Sequence, residues 1–253
     1  MVEALFWPAL LAYGEAALAY SSPRTTRAAT WGVRIGWLAQ TALLVMQAAR
    51  ADGFPWSTWA GSLNLFVWLV VGAYLIWGCR PRFRLLGLAV MPLAAALFLV
   101  ARLGGGTRDG SASAYGNVFL VLHVGLVLAA FAGFTLAAAL AALYLWQEGR
   151  LKSRAPDVLR LRFPPLASLE RLTWRTVLVS LPLLTLGLVA GIVRLRQDRA
   201  GFDALEAVTL LTWAVYGLFI GLHPTGRRAA YLALGGFALV IVVRLALAGG
   251  HFA

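Results

Sequence analysis

An all-α, polytopic membrane helical bundle is the fold class this sequence predicts, and two observations predict it. The first is a set of eight apolar stretches, near 4–20, 31–49, 60–78, 85–103, 117–146, 174–195, 205–222 and 229–248. A helix rising about 1.5 Å per residue needs roughly 20 mostly apolar residues to cross hydrocarbon, and these qualify or nearly do. The second is composition: 61% of the 253 residues are hydrophobic, and the mean hydropathy is +0.79, far from a soluble balance. Backbone polar groups in lipid must be satisfied internally, which leaves helices or closed barrels. The runs are continuous rather than alternating, so they read as helices. No polar segment is long enough to fold alone, and residues 1–253 read as a single integral membrane domain.

The elements follow in order. Met1–Tyr20 has no basic leader followed by a small-residue cleavage site, so it reads as the first span rather than a removed signal. Glu15 lies about five residues from its inner end, and Arg34 lies at similar depth in the second span. Ionisable residues in a membrane pair or mark function. These two read either as an ion pair locking the first hairpin or as a site for a charged ligand group. The outside loop 50–60 carries Phe54, Pro55, Trp56 and Trp59, with Trp68 a few turns on in the third span. Such tryptophans form interfacial belts; equally, they offer flat apolar faces to a porphyrin. Pro92 and Pro182 fall inside the fourth and sixth spans, where kinks are tolerated. Gly104–Gly116 is Gly/Ser-rich and reads as a mobile outer loop.

The fifth span is dense in small residues (Gly125, Ala129, Ala130, Ala132, Gly133, Ala137, Ala138) and is expected to pack tightly. It carries His123 a turn or two below the outer surface. Imidazole is the usual axial ligand of haem iron through a neutral ring nitrogen; the plainer alternative is a hydrogen-bonded packing residue. Residues 147–174 form the longest connection. Leucines and Phe163 interleave there with Arg160, Arg162, Glu170 and Arg171, which predicts a partly helical inner-surface segment interrupted at Pro164–Pro165. His223 ends the seventh span on the inner side, about 25 Å from His123 by helix rise, so the two cannot clamp one iron. His251 lies near the depth of His123 and reads either as the second histidine of a bis-His site or as part of a terminus that frays. Asp198, Asp203 and Glu206 crowd the outer end of spans six and seven, where acids favour the start of a helix.

The formal net charge is +12, but the basic residues sit in short loops between spans. That pattern fits anionic lipid and the positive-inside rule, and it excludes nucleic acid as a partner. Loops 1–2, 3–4, 5–6 and 7–8 hold most of the arginines and go inside, which leaves both termini extracytoplasmic. The single Cys79 excludes an internal disulfide and a CxxC redox pair. No nucleophile motif, zinc spacing or phosphate loop is present, so catalysis by side chains is not supported.

Taken together, these landmarks resemble the HemX/CcsA-type cytochrome c assembly family of haem-handling membrane proteins. Four stretches carry the resemblance. They are Phe54 to Trp68 (FPWSTWAGSLNLFVW); Leu122-His123-Val124 with Leu143 to Lys152 (LYLWQEGRLK); Pro165 to Leu172 (PLASLERL) with Pro182 to Gly191 (PLLTLGLVAG); and Asp203 to Glu206 (DALE) with Trp213 to Tyr216 (WAVY) and Gly226 to Ala230 (GRRAA). Their order and spacing over roughly 50–240 are what make the match specific. Members that attach haem to cytochromes carry a longer tryptophan-rich external signature ending in Trp-Asp. Here Arg194 to Asp203 (RLRQDRAGFD) has neither tryptophan nor histidine. The short form resembles the HemX branch, associated with haem biosynthesis and with control of glutamyl-tRNA reductase.

What the resemblance implies is a haem-handling protein of the bacterial inner (cytoplasmic) membrane, multi-pass and without a catalytic motif. His123 would contact the iron of a b-type haem in an outer-leaflet pocket walled by spans three and five. Trp56, Trp59 and Trp68 would offer apolar faces, and His223 would be a second haem-contact position. Arg50 and Arg108 would meet the propionates, since guanidinium pairs well with carboxylate. The implied partners are haem, anionic lipid and cytochrome c assembly proteins. Two alternatives remain: a haem-free scaffold whose basic 150–175 loop holds a cytoplasmic haem-synthesis enzyme, and a small-molecule or lipid transporter.

Overall fold

The computed structural model describes residues 2–50, 56, 58–77, 83–107, 118–153, 164–198 and 204–250. Among the described residues there are eight α-helices and no strand. They are α1 (Phe6–Ala19), α2 (Thr26–Arg50), α3 (Trp59–Trp77), α4 (Arg84–Leu103), α5 (Val118–Lys152), α6 (Leu166–Asp198), α7 (Ala204–Leu222) and α8 (Gly226–Gly250). Each falls on one of the apolar stretches. Four helices are long and apolar enough to cross a membrane, over Trp59–Ile76, Leu85–Leu103, Val121–Lys152 and Leu166–Val193; Glu206–Leu222 is apolar but shorter. Helix α1 has only 14 residues, about 21 Å of rise, and the 3₁₀ turn Val2–Leu5 precedes it.

The chain divides into two compact units, Met1–Val118 and Phe119–Ala253. In the first, α1 packs on α2 and α4, and α3 on α4 and α2. Phe6, Tyr13 and Phe98 are fully buried at the α1–α4 contact, with ring centroids 4.8 Å apart for Phe6–Phe98 and 6.1 Å for Tyr13–Phe98.

In the second unit, α7 packs on α6 and α8. Residues 130–138 of α5 are all buried; Ala130, Ala132, Gly133, Ala137 and Ala138 there allow close packing, while Gly125 and Ala129 are half-buried. Tyr216 of α7 stacks on Phe134 of α5 with centroids 3.7 Å apart, and its hydroxyl donates to the Ala233 carbonyl of α8 at 3.1 Å. Helix hydroxyls find their partners locally. Thr135, Thr173, Thr176, Ser180, Thr185 and Thr212 each donate to the carbonyl four residues earlier, which satisfies them without water.

Three expectations need correction. Among the described residues of the 147–174 connection, the part after the prolines is not a separate surface segment: α5 runs on to Lys152 and α6 starts at Leu166. Pro164 and Pro165 stand immediately before α6, where proline suits a helix start; Ser168 and Leu169 donate to the Pro165 carbonyl at 2.8 and 3.3 Å. Residues 154–163 lie outside the described residues. Second, Glu15 and Arg34 do not pair: both are exposed, and the Arg34 guanidinium instead lies 5.1 Å over the Trp31 ring. Third, the start of the Gly104–Gly116 loop is folded. Gly104, Gly105 and Gly106 donate to the carbonyls of Val100, Arg102 and Ala101 at the end of α4, and 108–117 lie outside the described residues.

Candidate functional site

In the second unit, His123 is half-buried on α5 and faces α6. Its Nδ1 lies 2.7 Å from the Gly187 carbonyl oxygen. A carbonyl only accepts, so in the neutral ring Nδ1 holds the hydrogen and Nε2 keeps the free lone pair. This is the arrangement in which histidine ligates a metal, with its second nitrogen anchored to a carbonyl. Gly191, one turn beyond Gly187, gives the ring its room: a Cβ there would stand 2.7 Å from Nδ1 and 2.8 Å from Cε1. The donor chemistry therefore fits a haem iron. Among the described residues no three His, Cys, Asp or Glu side chains converge to hold a metal ion.

His223 sits in the turn after α7 with φ of 45°, a conformation histidine adopts more readily than most residues. Its exposed ring stacks on Trp174 of α6 with centroids 5.7 Å apart. Two carboxylates clamp the same turn. Glu170 Oε1 accepts from the Gly226 amide at 2.9 Å. Glu148 accepts from Arg227 Nε at 2.7 Å and pairs with Lys152 at 2.6 Å.

In the first unit the expected tryptophans stand at different levels. Trp59 opens α3, and Trp56 precedes it in a turn, both half-buried. Trp68 lies nine residues beyond Trp59, about 14 Å further along the axis and on the opposite side of the helix. The three do not converge on one patch. Trp68 instead stacks on Trp37 of α2, with centroids 5.2 Å apart and planes at 13°. Trp68 Nε1 donates to Thr41 Oγ1 at 2.7 Å, and Trp37 Nε1 to the Trp68 carbonyl at 3.1 Å. Arg50 is the exposed last residue of α2. Arg108, His251, Asp203, Phe54 and Pro55, with the side chain of Asp198, lie outside the described residues.

Sequence reasoning missed the polar heart of this unit, made of Tyr13, Gln40, Gln47 and Asn64, all buried. The Tyr13 hydroxyl donates to Gln40 Oε1 at 2.7 Å, and Gln40 Nε2 to Asn64 Oδ1 at 2.9 Å. Asn64 Nδ2 and Gln47 Nε2 both donate to the Gly106 carbonyl at 3.2 Å. Gln47 Oε1 accepts from Asn64 Nδ2 at 3.3 Å and from Trp56 Nε1 at 3.4 Å. The chain of amides thus runs from α1 through α2 and α3 to the turn after α4, and holds Trp56. Its signal was present: Gln40 and Gln47 are two turns apart on one helix face, and Asn64 interrupts an apolar run.

The family model described as "Cytochrome C assembly protein" matches residues 56–248. Protein HemX of Brevibacillus brevis is 27% identical over 210 residues, covering 79% of this chain and 75% of its own length. Cytochrome c biogenesis protein CcsA of Gloeothece citriformis is 26% identical over 293 residues, covering 93% and 89%. The protein of the same name from Guillardia theta is 26% identical over 231 residues, covering 81% and 77%.

Proposed function

Because this chain belongs to the cytochrome C assembly protein family, we propose that it is a haem-handling, eight-span protein of a bacterial cytoplasmic membrane. In this reading it forms one membrane domain with both termini outside and its arginine-rich loops on the anionic inner leaflet. Haem, when bound, supplies an iron that accepts a nitrogen lone pair and a ring that prefers apolar surroundings. The rest is the work of this chain. His123 presents Nε2 to the iron, and the Gly187 carbonyl fixes which nitrogen is free. That single hydrogen bond is the observation that carries the proposal. Trp56, Trp59 and Trp68 as apolar contacts, Arg50 and Arg108 as propionate contacts, and His223 as a second haem contact are proposals of the same kind, each open to its own substitution.

The test is the visible spectrum of detergent-purified protein, as isolated and after haem titration, with a pyridine haemochrome count. A stoichiometric b-type spectrum that His123→Ala removes is the expected result. A colourless protein that takes up no added haem overturns it and leaves the cytoplasmic scaffold as the reading to pursue.

A further inference from the structure

The outward faces of α1 and α2 carry an incompatible pair of properties. On α1 the exposed positions are Trp7, Pro8, Leu11, Glu15 and Leu18; on α2 they include Arg27, Trp31, Arg34, Ile35, Leu38, Ala42 and Val45. The spacings of three, four and seven residues make each set a stripe along one helix face. The apolar members are strongly exposed, Leu11 at 69% and Leu18 at 78%, which suits lipid or protein but not water. Midway along each stripe lies one charged side chain, Glu15 or Arg34, while the exposed Arg27 stands in the first turn of α2; charge is expensive in lipid unless paired. Within the chain Glu15 and Arg34 are not paired, and the contact of Arg34 is with Trp31.

Their levels match. A Cβ on Gly32 would meet Ala12 O at 3.2 Å and Ala16 Cβ at 3.4 Å, and one on Gly36 would meet Ala12 Cβ at 3.3 Å. The hairpin is antiparallel, so Arg34 stands opposite residues 12–14. Glu15 is then within about 5 Å of it along the axis, less than the reach of an arginine side chain.

We infer that the outward face of the α1–α2 hairpin pairs with the same face of a second copy of this chain, Glu15 of each copy opposite Arg34 of the other. A two-fold axis along the membrane normal keeps both copies at one depth, and an isologous contact repeats every pair. One acid and one base at one level are what such a contact requires: each copy supplies the counter-charge the other lacks. A different membrane protein would have to bring both a base and an acid at the same spacing. The proposal rests on α1 and α2 lying in the bilayer, as in the eight-span reading.

Charge reversal in mixed populations tests it. Donor- and acceptor-labelled full-length chains are reconstituted in phosphatidylcholine/phosphatidylglycerol vesicles, and energy transfer is followed with dilution into lipid. The wild type is expected to self-associate. E15R alone and R34E alone place like charges opposite each other, and each is expected to weaken association at least about tenfold. E15R mixed with R34E restores opposite charges and is expected to recover transfer; the E15R/R34E chain is expected to recover it alone. Recovery requires folded chains, so misfolding of a single variant cannot mimic it. Wild-type transfer absent, single variants that associate like wild type, or a mixture that stays apart would each overturn the dimer. Membrane placement is read separately by labelling Leu11→Cys, in a Cys79→Ser background, with an impermeant maleimide. Rapid labelling overturns the placement and the dimer with it; protection without energy transfer overturns the dimer alone.

Discussion

His123 Nδ1 and the Gly187 carbonyl oxygen are 2.7 Å apart, and Gly191 leaves the space in which that contact is made. The ring and its acceptor sit on different helices, α5 and α6, so the packing of one helix on the other sets which imidazole nitrogen is free. Gly191→Ala places a methyl 2.7 Å from Nδ1, and the ring can swing away without unfolding the bundle. Thermal stability is expected to change by less than about 1.5 kcal/mol. Haem affinity by titration is expected to fall about 10- to 100-fold, as when a ligand histidine loses its supporting partner. An unaltered titration would remove the Gly187 contact from the account.

Gly106→Ala has no such escape. Its Cβ would collide with the backbone oxygen of Ala60, so the turn must move and withdraw its carbonyl from Gln47 and Asn64. A loss of about 2–4 kcal/mol is expected from overpacking together with the lost acceptor. Thermal unfolding in detergent, followed by tryptophan fluorescence, measures it.

Gln47→Leu and Asn64→Leu each leave buried amide partners stranded and are expected to cost about 1–3 kcal/mol apiece. The double variant is expected to cost at least about 0.5 kcal/mol less than the sum, because the two share the Gly106 carbonyl and bond each other. Additive losses would mean the network does not act as a unit.

His223→Gly tests the turn after α7. The residue has φ of 45°, a conformation that costs most residues about 1–2 kcal/mol and glycine little. The glycine variant is expected to stay within about 1 kcal/mol of wild type, and His223→Val to lose about 1–3 kcal/mol. If the glycine variant keeps its stability but loses part of the haem spectrum, His223 is a second haem contact.

The helices were legible because one signal, continuous apolarity, decides them in a membrane. Helix ends were less so. Lys152 and Leu166 extend α5 and α6 beyond the apolar windows, because a helix continues through charged residues where nothing breaks it. At the site, His123 was legible as a rare polar residue in lipid, but its hydrogen bond depends on Gly187 of another helix, which no local pattern encodes. Sequence proximity groups Trp68 with Trp56 and Trp59, whereas helix geometry turns it to Trp37. The amides Gln40, Gln47 and Asn64 went unread since neutral side chains leave no trace in a count of charges.

The length of α5 works as a depth gauge. Its 35 residues amount to about 52 Å, well beyond the roughly 30 Å of hydrocarbon. Glu148, tied to Arg227 and Lys152, belongs at a water boundary, and His123 lies 25 residues away, about 37 Å higher. If the lower ion cluster stands at one headgroup layer, the imidazole stands at the other. His123 therefore offers its ring where the acyl chains give way to headgroups, a depth that suits a ligand with one apolar and one charged edge.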